Sequence, residues 1–62
     1  MPKLSNAKEN RLETISRMES ALTEMRDSLE RDDYKDCIDW GLTLRHLQAE
    51  LEMTIMTRLT NR

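Results

Sequence analysis

The side chains best suited to chemistry are one cysteine, Cys37, one histidine, His46, and a run of carboxylates near mid-chain. A nucleophilic thiol needs a base close by. His46 follows Cys37 by nine residues, which on a helix puts it on a different face. Asp36 and Asp39 flank the thiol and oppose formation of a thiolate. Cys37 therefore reads as a small core residue and His46 as a solvated or interface one. Metal chemistry lacks its spacings, because there is no Glu-x-x-His, His-x-x-x-His or Cys-x-x-Cys, and the aspartates form no calcium loop. A phosphate-cradling loop needs glycines, and the chain has one. The expectation is a protein that is not an enzyme and needs no cofactor.

The elements that could position such groups follow from composition. The chain has 62 residues, 37% of them apolar and 35% charged, with a net charge of −2. That is a single domain, residues 1–62, and a small one. Chains of this size usually need a disulfide, a metal or self-association to supplement their core. A lone cysteine removes the intramolecular disulfide, which leaves self-association. No apolar run approaches the ~18–20 residues of a membrane span. Charges throughout the first twenty residues argue against a signal peptide, and a lone thiol fits a reducing cytoplasm. Valine and phenylalanine are absent, so a sheet is disfavoured.

The spacing predicts two helices, one over about 7–30 and the other over about 34–59, joined by a turn at 31–33. Asn6 can cap the first, with Glu9 as its capping-box partner. Leu4, Ile15, Met18, Leu22, Met25 and Leu29 then recur on steps of three and four, the pattern of a coiled-coil seam that Lys8 and Arg11 interrupt. Leu12 widens this stripe on one side. Glu13 and Arg17 stand at ion-pair spacing on the wet face. Asp33 can cap the second helix, and Asp36 suits its amino end.

The second helix carries two stripes. Cys37, Trp40, Leu44, Leu47, Leu51 and Ile55 form one, which should pack on the seam of the first helix to make the hairpin core. Ile38, Leu42, Ala49, Met53 and Met56 form the other, roughly 120–180° round the helix, between Arg45 and Glu50. A helix that is apolar on two sides must be covered on two sides. The expected architecture is an all-α, two-helix antiparallel hairpin that dimerises into a four-helix bundle, with the second stripe as dimer interface. Within it, Gly41 reads as space for a neighbouring helix or for the Trp40 indole, unless that indole is an exposed partner anchor.

Charge is polarised along this hairpin. Asp27, Glu30, Asp32, Asp33, Asp36 and Asp39 make the turn end acidic, whereas Lys3, Lys8, Arg11, Arg58 and Arg62 make the open end basic. An antiparallel dimer places unlike ends together. Two basic ends could alternatively contact nucleic-acid phosphates, although the acidic turn and the missing stacking platform weigh against that.

The two-helix plan, with a cysteine in the second helix (Cys37) and a short acidic turn (Asp32-Asp33), is similar to the Rop family of plasmid copy-number regulators. Those are helical hairpins that dimerise into four-helix bundles and bind paired RNA loops. Small size, dense charge and the absence of catalytic motifs also resemble the accessory proteins of lambda-like phage early regions. The resemblance implies a small regulatory or adaptor protein, acting on host or phage development in the host cytoplasm through protein–protein contacts. The Rop likeness implies RNA or DNA binding as the alternative.

Overall fold

The computed structural model describes residues 3–60, with side chains for residues 7–60. Two helices account for nearly all of it, α1 from Lys3–Glu30 and α2 from Tyr34–Thr60, and the described residues contain no strand. The helices run antiparallel, with Ser28 beside Asp36 at one end and Ala7 and Asn10 facing Thr54 at the other. The fold is an α-helical hairpin about 46 Å long and only 10 Å in its thinnest direction. It is a single layer, so each helix has one helical neighbour.

The start of α1 differs from the expected boundary. Asn6 lies inside the helix, three residues after Lys3, rather than capping it. Nothing between Lys3 and Asn6 breaks a helix, so propensity carries the helix past a residue that could cap it. Its capping role and the seam position of Leu4 concern side chains outside the described residues. At the other terminus α2 ends one residue later than expected, at Thr60.

The turn is a complete helix-ending motif. Asp33 N–H donates to the Ser28 carbonyl at 2.8 Å, and Asp32 N–H donates to the Leu29 carbonyl at 3.0 Å. These are the two bonds of a Schellman cap, which requires a left-handed residue at Asp32. Its φ is 60°. Asp33 then begins the next helix: its Oδ1 accepts from the Asp36 N–H at 3.2 Å, and its carbonyl accepts from Cys37 N–H at 3.1 Å. One residue thus closes α1 and opens α2, which is why three residues suffice to reverse the chain.

A left-handed aspartate is tolerated but strained, since its Cβ crowds the following carbonyl. Asp32→Gly should therefore raise the urea midpoint by the equivalent of about 0.5–1 kcal/mol, after allowance for the freer unfolded chain. The substitution also removes the 3.2 Å bond from the Tyr34 hydroxyl, which is exposed and contributes little. An unchanged or lower midpoint would mean that this bond outweighs the strain.

Gly41 in α2 faces Met25. A Cβ at Gly41 would lie 3.5 Å from Met25 Cε and 3.9 Å from Sδ, ordinary van der Waals separations. Close helix approach is thus not what keeps a glycine here, contrary to the reading from sequence. Gly41→Ala should stabilise the hairpin by about 1 kcal/mol, the intrinsic helix preference of alanine. Thermal denaturation at fixed protein concentration checks this, and a lower midpoint would show that Met25 cannot accommodate the methyl.

Candidate interaction surface

Which face of each helix is spent inside the hairpin decides which faces remain for other molecules. In α2 the inner row is Cys37, Trp40, Gly41, Leu44, Leu47 and Leu51, all half-buried. Ile55, expected to continue that row, is exposed because the contact with α1 weakens toward the open end. Asp36 joins the row at the turn, half-buried.

In α1 the inner face is Arg11, Thr14, Met18, Ala21, Met25 and Ser28. Met18 and Met25 belong to the seam read from sequence, but Ile15, Leu22 and Leu29 do not point into the hairpin. They are 38%, 56% and 55% exposed, whereas Ala21 and Ser28 are almost completely covered. The helix is rotated by roughly 70° from the orientation that would centre the row of Ile15, Leu22 and Leu29, counting 100° per residue. Small side chains at a contact let helix axes come closer than bulky ones do. Thr14, Ala21 and Ser28 supply a row of them at seven-residue spacing, and that row was the available signal.

Polar bonding fixes the same rotation. Ser28 Oγ lies 2.6 Å from Asp36 Oδ2 and 2.8 Å from the Glu24 carbonyl oxygen. Its single proton serves one acceptor at a time. Arg31 Nη2 donates to the same Asp36 oxygen at 3.2 Å, so the carboxylate between the helices is paired from both sides. Turning α1 to bury Leu29 would pull Ser28 away from Asp36.

The rotation leaves an apolar groove along one side of the hairpin. One depression, of about 440 Å³, is lined by Leu22, Thr23, Met25, Arg26, Leu29 and Cys37. A second, of about 290 Å³, is lined by Ile15, Met18, Glu19, Leu22, Leu44 and Gln48. Leu22 belongs to both, so they form one trough. The opposite side has a smaller and more polar dent lined by residues such as Asn10, Arg11, Thr14 and Glu50. Arg11 turns inward there, with its Nε buried and unpartnered among the described residues.

The second α2 stripe forms a separate apolar surface. Ile38, Leu42, Met53 and Met56 are all more than half exposed, and Ala49 is exposed with them. It is a ridge on one helix. Across the described residues, eleven large apolar or aromatic side chains are exposed, against one buried hydrophobic residue, Ala21. A compact monomer of 7.4 kDa would expose about 4,200 Å². This chain exposes 5305 Å², roughly a quarter more.

The remaining candidates are surface groups. His46 pairs with Glu50 at 3.3 Å in the open, and Cys37 is a free, half-buried thiol. Glu13 and Arg17 form an exposed ion pair at 3.3 Å. Of the basic candidates, Lys8 and Arg58 are exposed and Arg11 is half-buried against α2. The side chains of Lys3 and Arg62 lie outside the described residues. Among the described residues no helix is long and apolar enough to cross a membrane, and no His, Cys, Asp and Glu side chains gather as a metal site. No protein-family model, curated protein sequence or solved structure matches the chain.

Proposed function

We propose that this chain is a homodimeric, cytoplasmic regulatory or adaptor protein that works by protein–protein contact rather than by catalysis. The observation that carries this reading is the amount of apolar surface a single hairpin leaves in water. Exposed patches larger than a few hundred Å² mark interaction sites on soluble proteins. Two exposed apolar faces are present here, the groove and the α2 ridge. A second copy that covers one leaves the other for a different protein, which is what an adaptor requires. The four-helix bundle is the simplest closed form for the dimer, since a two-layer stack completes a core that one layer lacks.

An affinity-tagged chain tests the reading in host lysate. It should retain a protein that stays bound after nuclease digestion. The double variant Leu42→Glu/Met53→Glu should lose that protein if the ridge is the partner surface. Retention that vanishes with nuclease would instead assign the function to nucleic acid, through the basic ends carrying Lys8 and Arg58. That binding would fall steeply with salt.

A further inference from the structure

We infer that the groove beside α1 is the seat of the second copy, in an antiparallel register centred on Leu22. The inference rests on the dimer reading and revises the interface expected from sequence, which was the α2 ridge.

The row that rims the groove is a palindrome. Ile15 and Leu29 stand seven residues on either side of Leu22, on the same face of α1. Two antiparallel copies that meet at Leu22 therefore set each Ile15 against the other copy's Leu29, in both halves of the contact. That is the self-complementarity a two-fold interface demands.

Charge complementarity selects the same register. Glu19 lies three residues before Leu22 and Arg26 four after it, both on the outer flank of the row. Antiparallel packing about Leu22 brings Glu19 of one copy to within one residue, about 1.5 Å of rise, of the level of Arg26 of the other. The two also fall on the same rim of the contact, so two unlike pairs border it. Both residues line the groove from its α1 side. The same packing brings the acidic turn of one copy to the level of Arg11 of the other, each eleven residues from Leu22. A parallel pair would instead stack the turns, acid on acid.

Shape and area agree. The groove is a trough between two helices, a shape that takes a row of side chains from an opposing helix. The excess exposed surface, roughly 1,100 Å² over a compact monomer, is close to the ~800 Å² that one partner contributes to a standard interface.

The test is a charge exchange between chains. Glu19→Arg and Arg26→Glu are made separately, and each variant is followed by sedimentation equilibrium at low salt. Each alone puts like charges at both rim contacts and should dimerise about tenfold more weakly than wild type. Mixed in equal amounts they restore both unlike pairs, so the heterodimer should regain close to wild-type affinity. Neither change disturbs the hairpin core, since Glu19 supplies only its backbone carbonyl, to Thr23, and Arg26 makes an exposed 3.7 Å pair with Glu30. Helix content by circular dichroism, compared at concentrations where each variant is fully dimeric, checks this. Weakened variants that the mixture does not rescue would overturn the register. Variants that dimerise like wild type would overturn the groove and return the second copy to the α2 ridge. A wild type that is itself monomeric would overturn the dimer reading.

Discussion

Leu22→Glu should leave the chain monomeric at concentrations where wild type is dimeric, an association at least about a hundredfold weaker. Leu22 sits where the two copies cross, so one substitution places two carboxylates against each other in an apolar contact. Each loses hydration without gaining a partner, and removing a charge from water unpaired costs several kcal/mol. The effect is specific to the contact between copies, because Leu22 is 56% exposed within the hairpin and contributes little to its own fold. Leu42→Glu is the matched control, at 54% exposure on the α2 ridge. It should dimerise like wild type. If Leu42→Glu dissociates the dimer and Leu22→Glu does not, the two faces have been assigned the wrong way round.

Ala21→Leu carries the other large effect and runs against simple hydrophobicity. It should destabilise the hairpin by about 1–3 kcal/mol, the usual result of forcing methylenes into a filled contact. Ala21 is 1% exposed, on the inner face of α1 with Met18 and Met25 on either side. A leucine there must push the helices apart or turn α1, and turning it separates Ser28 from Asp36. For a domain of this size the loss corresponds to roughly 4–8 °C of melting temperature per kcal/mol. Protein concentration must be held constant, since dimerisation makes the midpoint depend on it. Had the leucine row faced inward, Ala21 would lie on the hairpin's side, and Ala21→Leu would be neutral or stabilising.

These two residues also show how far the sequence could be read. Both helices, the turn at 31–33 and the cap at Asp33 were legible because each has a local cause. Periodicity places the helices, and the Asp33 carboxylate starts the second by accepting from the Asp36 N–H. The inner row of α2 was legible through Leu51 because that helix offers its bulk on a face that α1 can reach. The rotation of α1 was not legible from bulk. Ranking residues by hydrophobicity sends Ile15, Leu22 and Leu29 inside, but two long helices in contact choose the face that lets them approach. That face carries Thr14, Ala21 and Ser28. The left-handed Asp32 gave no signal either, since glycine is the residue that normally marks such a cap. The groove follows from the rotation, so it was hidden for the same reason.

The claim on which everything else depends is that this hairpin is half of a shared core. Sedimentation equilibrium of the unmodified chain tests it most directly, with helix content followed over the same dilution series. The account predicts a species of twice the 7.4 kDa chain mass, with helix content that falls as dilution separates the copies. A single 7.4 kDa species that keeps its full helix content at every concentration would contradict it.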